Sequence, residues 1–110
     1  MRQPVRSPDE LQVGGLYCYP SDEGVFRIVK VLVLEPAIVH VKLYENRFAS
    51  FPTSVDPASL QCFVEHMPIS PWGFVHECPH FFIMKTTVTD EELFGYRSWL
   101  QHACGGPAPN

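Results

Sequence analysis

Two histidines and a cysteine at alternate positions make the segment 76–80 the densest group of potential metal ligands in the sequence. On an extended strand His76, Cys78 and His80 would share one face, and imidazole and thiolate are ligands that Zn²⁺ prefers. Pro79 interrupts a regular strand, however, and the spacing H-x-C-x-H is not a recurrent zinc-site pattern. We therefore predict no metal and no other cofactor. A metal-binding protein that uses these three residues is the alternative.

Motifs of the common catalytic classes are missing from the sequence. It contains no G-x-S-x-G turn around a nucleophilic serine and no G-x-x-x-x-G-K-[ST] loop for phosphates. The pair Gly14-Gly15 is too short to cradle a phosphate, and the three acids at 90–92 are typical of a helix N-terminus. No catalytic residue is therefore predicted, and we interpret the chain as a non-enzymatic protein.

An aromatic segment that contains an arginine follows one of the clearest strand patterns, at residues 43–52. Aromatic side chains and arginine are the residue types that anchor protein interfaces. Phe48 and Phe51 are favoured as core residues over Tyr44 and Arg47, and the segment fits an interface and a structural lid equally well. The predicted partner-binding residues are Tyr44, Glu45, Arg47, Phe48 and, from a separate segment, Trp72.

Charge is distributed unevenly along the chain, whose net charge is −4. Residues 1–55 balance their acids and bases, whereas residues 56–110 carry six acids against only Lys85 and Arg97. An acidic half without a cluster of basic residues argues against nucleic-acid binding. The same excess is compatible with a basic protein partner, through electrostatic steering and complementarity.

The hydropathy pattern gives no sign of a membrane segment or a secretory leader. Residues 1–12 are polar and interrupted by proline, and the apolar run 25–34 is short and contains Arg27 and Lys30. We therefore predict a soluble cytoplasmic protein without membrane contact. In that compartment the four widely spaced cysteines are expected to be free buried thiols, and two disulfides are the alternative if a leader has been removed.

The β-strand patterns lie mainly in the first half of the chain. Apolar and β-branched residues predict strands at 16–19, 25–34 and 38–44, separated by turn-forming residues. Further strands are predicted at 60–67, where Phe63 lies on the face opposite its two neighbours, and at 80–87. The sequence therefore indicates an α+β fold with a small antiparallel meander or an SH3-like, partly open barrel.

Two helices complete the predicted fold. Ser70-Pro71 is a helix-start signal and predicts a short helix at 71–76. Thr89 and Glu92 form a capping-box pattern before an amphipathic helix near 90–103, whose apolar stripe contains Leu93, Tyr96, Leu100 and Ala103.

The domain organisation follows from length and composition. A chain of 110 residues has the size of one domain, and its hydrophobic content of 45% is sufficient for a core. The predicted boundaries are a flexible N-terminal arm at 1–12, a single globular domain at 13–104 and a disordered tail at 105–110.

Several segments of the chain resemble a family of small uncharacterised bacterial proteins. The likeness rests on Val13–Tyr17, Ile28–Leu32, Val39–Phe48, Ser54–Pro57, His66–Ser70 and Glu92–Trp99. These segments span most of residues 13–100, and none of them is a catalytic motif. The resemblance implies a partner-binding role, of the kind that immunity proteins have in bacterial toxin systems. The cluster at 76–80 departs from the pattern of that family, which weakens the metal-site alternative.

The function expected from the sequence is therefore a non-enzymatic protein-binding domain, in the form of an immunity protein that neutralises a toxin by direct binding. A metal-binding protein is one alternative. A nucleic-acid-associated module of the Tudor or SH3 type is the other, and only the predicted fold favours it.

Overall fold

Within residues 3–103, which the computed structural model describes, the chain forms one antiparallel sheet and two α-helices. The strands are β1 (Gly15–Pro20), β2 (Phe26–Leu34), β3 (Val39–Tyr44), β4 (Cys62–Ile69) and β5 (Phe81–Lys85), and the helices are α1 (Pro71–His76) and α2 (Phe94–Ala103). Across the sheet the strands follow the order β4-β3-β2-β1-β5. The predicted C-terminal tail lies outside the described residues.

The sheet is an open meander. Strands β1 to β4 are neighbours in chain order, whereas β5 pairs with β1 at the far edge. Because β4 and β5 lie at opposite edges of the described sheet, it is not closed into a barrel. The predicted α+β meander is thus confirmed, and the open sheet gives no specific support to the SH3-like, partly open barrel that was its alternative.

One face of the sheet, here called the α1 face, holds the larger apolar core. It is formed by alternate side chains of the central strands, as expected for period-2 burial, and α1 covers it with Phe74 and Val75. The N-terminal segment, for which the sequence predicts a flexible arm, contributes Val5 and Leu11, both less than 10% exposed. The sheet residues of this core are Tyr17, Val29, Val31, Val39 and Val41.

The opposite face, here called the α2 face, is covered in two parts. The irregular segment 45–61 lies over the end of the sheet that contains Leu16, Cys18 and Ile28. Helix α2 covers the other end, where its aromatic rings contact the buried His40. Three polar side chains of this face, Lys30, His40 and Lys42, lie on strands that the sequence reads as mainly apolar. These polar groups need partners within the fold.

Local capping residues precede both helices, and α2 is shorter than the sequence predicts. Helix α1 begins and ends as predicted, and the Ser70 hydroxyl accepts a hydrogen bond from the Gly73 amide at 3.2 Å. The capping box is present, since the Thr89 amide donates to Glu92 at 3.0 Å and the Glu92 amide donates to Thr89 at 3.2 Å. Regular helix, however, starts at Phe94 and not near residue 90. Residues 90–93 form turns instead.

Among the cysteines within residues 3–103, Cys62 and Cys78 are free thiols. Cys18 is buried, Cys78 is partly buried and Cys62 is exposed. The expected burial is therefore wrong for Cys62, and Cys104 lies outside the described residues. In the same part of the chain, neither helix has the length and apolar character that crossing a membrane requires.

Candidate functional site

The three potential zinc ligands of the segment 76–80 have separate surroundings. His80 is 7% exposed, its ring stacks on Phe74 at 3.9 Å between centroids, and its Nδ1 donates to the Cys78 carbonyl at 3.0 Å. Burial lowers the pKa of His80 to about 4, so that the ring is neutral at pH 7. His76 is exposed and stacks on Trp72. Residues 3–103 contain no group of three or more ligand side chains placed to hold a metal ion.

The predicted partner-binding residues fall into three places. Tyr44 is 6% exposed and belongs to the core of the α2 face, where burial raises its pKa. Phe48 is half-buried, and its backbone pairs with that of Phe26 through N–H···O bonds of 2.8 and 2.9 Å. The ordering expected from the sequence, with Phe48 deeper than Tyr44, is therefore wrong. Among the predicted partner-binding residues of this segment, only Glu45 and Arg47 are exposed.

Trp72 is also exposed, at 55%, but it lies at a different end of the molecule. Its neighbours across a shallow depression include Pro36, in the turn that joins β2 to β3. Glu45 and Arg47 follow the other end of β3. A strand of this length spans about 20 Å at 3.3–3.4 Å per residue, so Trp72 and Arg47 do not form one surface.

Glu45 and Arg47 instead surround a concavity with residues of other strands. We call Glu23, Arg27, Glu45, Arg47 and Phe63 the Arg–Phe patch; they line a volume of about 630 Å³. Phe63 is 62% exposed, and the Arg27 guanidinium lies 5.6 Å from its ring centroid, within the range of a cation–π contact. Glu23 bridges the two arginines, at 3.7 Å from Arg27 and 3.4 Å from Arg47.

Arg27 has an unusual environment within the Arg–Phe patch. Its Nε is buried and has no hydrogen-bond acceptor among the described residues. A buried donor without an acceptor costs about 1–3 kcal/mol, so the folded chain holds Arg27 in a position that its own contacts do not fully satisfy. The sequence pattern did not single out Arg27 or Phe63, although the alternation along β4 placed Phe63 apart from its neighbours.

A second polar constellation lies under α2, on the opposite face of the sheet. His40, which is fully buried, contacts the Glu35 carboxylate through Nε2 at 2.9 Å and the His66 Nε2 through Nδ1 at 2.9 Å. The Tyr96 hydroxyl donates to the other Glu35 oxygen at 2.6 Å. We call these four residues the polar chain. Trp99 completes it by packing edge-on against His40, with 4.7 Å between ring centroids.

The polar chain shifts the titration of its members. Hydrogen bonds from Tyr96 and from His40 lower the pKa of Glu35 and keep its carboxylate charged. Burial and the charge of His40 lower the pKa of His66. The sequence did not predict the polar chain, because His40 lies within a regular strand pattern and His66 and Tyr96 lie far away along the chain. Its only local signal is a histidine on the face of β3 that also carries Lys42.

A third polar group joins the sheet to the segment that leads into α2. Lys30 is 5% exposed, and its Nζ donates to Glu92 at 2.8 Å and to the Thr87 carbonyl at 2.7 Å. Lys42 donates to the same carboxylate at 3.0 Å. Burial alone would raise the pKa of Glu92, but the bonds from Lys30, Thr89 and Lys42 lower it to about 2. These groups line a cavity of about 440 Å³.

The two buried polar groups differ from the Arg–Phe patch in their access to a partner. Lys30 and Glu92 are paired with each other, and the polar chain is covered by α2. The Arg–Phe patch combines an exposed aromatic ring with exposed charges of both signs.

Comparison of the chain with protein-family models, with curated proteins and with solved structures finds no match in any of the three.

Proposed function

We propose that this protein is a non-enzymatic protein-binding domain and that the Arg–Phe patch is its contact surface. The observation that carries the proposal is Phe63, which is 62% exposed and has the Arg27 guanidinium 5.6 Å from its ring centroid. Full burial of a phenylalanine side chain contributes about 1.5–3 kcal/mol. A partner that covers the exposed part of Phe63 gains the corresponding share of that free energy.

The chemistry of the surrounding residues supports a partner with charged side chains. Arg47 and Glu23 are both exposed and only 3.4 Å apart, and rim charges of this kind set register and association rate. The net charge of −4 steers a basic protein toward this chain at long range.

We further propose that the partner is a toxin and that binding neutralises it. This part of the proposal rests on the family resemblance described above, and the absence of catalytic motifs from the sequence supports it. Co-expression with a toxin encoded beside this gene tests it, with survival of the host cells as the readout. Survival with the unchanged chain and death with Phe63→Ala is the expected pair of results.

The binding surface itself is tested with two phenylalanines of nearly equal exposure. Phe63 lies in the Arg–Phe patch, whereas Phe94, which is 69% exposed, begins α2 on another element. A photo-crosslinking phenylalanine analogue at position 63 is expected to capture the partner in cells, and the same analogue at position 94 is not. With the captured protein purified, Phe63→Ala should weaken the dissociation constant by about 30-fold or more, the loss typical of a hot-spot residue.

Phe94→Ala is the matched control and should change the dissociation constant by less than about threefold, as expected for a residue outside the contact. Arg47→Ala should slow association and weaken its dependence on salt. Equal capture at positions 63 and 94, or an equal loss of affinity in Phe63→Ala and Phe94→Ala, would show that the Arg–Phe patch is not the contact surface.

A further inference from the structure

Helix α2 contacts the sheet through the polar chain. Tyr96 reaches Glu35 in the turn between β2 and β3, and the rings of Tyr96 and Trp99 lie 4.6 and 4.7 Å from the His40 ring. Gly95 allows the close approach, since a Cβ at that position would lie 2.7 Å from the Cβ of His66. The two imidazole rings, nearly parallel and 5.1 Å apart between centroids, therefore lie directly under the helix.

The hydrogen bonds of the polar chain fix how many protons it holds. Glu35 accepts from both His40 and Tyr96, so His40 carries a proton on Nε2. One proton lies between His40 Nδ1 and His66 Nε2, because a hydrogen bond of 2.9 Å needs one donor and one acceptor. With the imidazoles neutral, His66 is the donor in that bond. With one of them protonated, the bond persists.

A second added proton cannot be placed in the same geometry. It would make both imidazoles cationic and would turn an N–H of His40 toward an N–H of His66 across 2.9 Å. Two positive charges at this distance in a partly buried site repel strongly. The pair can separate only if His66 or the helix that covers it moves.

The groups that face the imidazoles from the neighbouring elements can balance one positive charge. Glu35 supplies the only carboxylate bonded to the pair within the described residues, and Tyr96 supplies a neutral hydroxyl from α2. Lys42, the next side chain along this face of β3, is held by Glu92 at 3.0 Å. Glu65, which precedes His66 on β4, is exposed and lines the cavity beside Glu92.

We propose that the polar chain is an acid-operated latch, which holds α2 on the sheet while at most one of its two imidazoles is protonated and releases α2 when both are. Release exposes the rings of His40, Tyr96 and Trp99 on the α2 face. This device lies on the opposite side of the sheet from the Arg–Phe patch. It therefore stands independently of the proposed binding function.

Hydrogen exchange of the full chain between pH 8 and pH 5, corrected for the intrinsic exchange rate, tests the latch. The equilibrium constant for local opening of α2 is expected to rise up to tenfold per pH unit for each proton taken up, while amides of β2 stay protected. His66→Gln keeps a hydrogen-bonding group near the position of Nε2 but cannot take up a proton. It should keep α2 docked and abolish this pH response. His76→Gln, which alters an exposed imidazole on α1, is the matched control and should retain it.

A second variant keeps the proposal testable if His66→Gln does not fold. Tyr96→Phe removes the bond to Glu35 and leaves both imidazoles in place, so α2 should open at a higher pH than in the unchanged chain. Trp99 fluorescence in a Trp72→Phe background follows this opening as a red shift of the emission. Loss of protection in α2 and β2 at the same pH, an unaltered response in His66→Gln, or an unaltered opening pH in Tyr96→Phe would overturn the latch.

Discussion

Gly14 shows how one residue positions the strands around the polar groups. Its φ of +84° lies in the left-handed region, and a Cβ would lie 2.0 Å from the Thr86 carbonyl oxygen. Its amide donates to Val31 at 2.7 Å and its carbonyl accepts from the Thr86 amide at 2.8 Å. The residue therefore ties β2 to the segment after β5, which supplies the Thr87 carbonyl to Lys30.

Gly14→Ala is expected to destabilise the fold more than Gly24→Ala. Gly24 also has a positive φ, of +81°, but no atom lies within 4 Å of its hypothetical Cβ. Gly24→Ala should therefore cost about 1–2 kcal/mol for the left-handed backbone alone, and Gly14→Ala should cost about 1–3 kcal/mol more, because the chain must also shift. Urea denaturation measures both free energies of unfolding, and equal losses would contradict the steric argument.

Exposure at the residue scale was the least predictable property of the candidate site. Tyr44 ends a strand and reads as an exposed aromatic, yet the segment 45–61 folds back over it. The sequence places Phe63 on one face of a strand. That strand lies at the edge of the sheet, and Phe63 remains 62% exposed. Local alternation defines which side chains share a face, but long-range packing decides whether that face is covered.

Helix α2 shows the same limit at the scale of one element. The capping box of Thr89 and Glu92 was visible in the sequence, because its two bonds join residues three positions apart. Its second role was not visible, since Lys30 and Lys42 approach Glu92 from 62 and 50 residues away. The same carboxylate that caps the turn also bonds two strands. Regular helix begins two residues after Glu92, at Phe94.

Glu92→Gln is expected to destabilise the junction between α2 and the sheet by about 2–3 kcal/mol. The variant leaves Lys30, 5% exposed, without a carboxylate, and removal of one partner of a buried pair is costly. The matched control is Asp90→Asn, which removes a solvent-exposed pair with Arg97 and should cost about 0.5 kcal/mol or less. Thermal and urea unfolding of the two variants give the comparison, and equal losses would refute the buried role of Glu92.

At the scale of the whole molecule, the strands were more predictable than their arrangement. The turns between β1, β2 and β3 are short, so pairing of these strands followed from the sequence. The position of β5 did not, because α1 separates it from β4 and it pairs with β1 at the other edge. Period-2 patterns in the sequence identify strands. The partner of a strand near the end of the chain, such as β5, depends on which edge of the sheet is still unpaired. The polar chain was unpredictable for the same reason, since it joins three elements.

The fold as a whole is expected to lose stability in acid, and His80 supplies a separable part of that loss. Its pKa in the folded chain is about 4, below the ordinary value of 6.5. Between these values the unfolded chain takes up a proton that the folded chain does not, so the free energy of unfolding falls as the pH falls. The stability that neutral His80 contributes is complete above pH 6.5 and is lost by pH 4. A shift of this size corresponds to about 3 kcal/mol.

His80→Phe removes this proton and retains an aromatic ring between Phe74 and Tyr19, which contact the imidazole at 3.9 and 5.1 Å. Between pH 7 and pH 4, the free energy of unfolding of this variant should fall by about 3 kcal/mol less than that of the unchanged chain. Urea denaturation at each pH gives the slope of the free energy of unfolding against pH. The lost bond to Cys78 changes that free energy equally at every pH and therefore does not change the slope. His102→Gln, at an exposed position on α2, should keep the slope of the unchanged chain. If His80→Phe keeps it as well, the acid sensitivity arises from other groups, of which His66 is the first to examine because its pKa is lowered in the same direction.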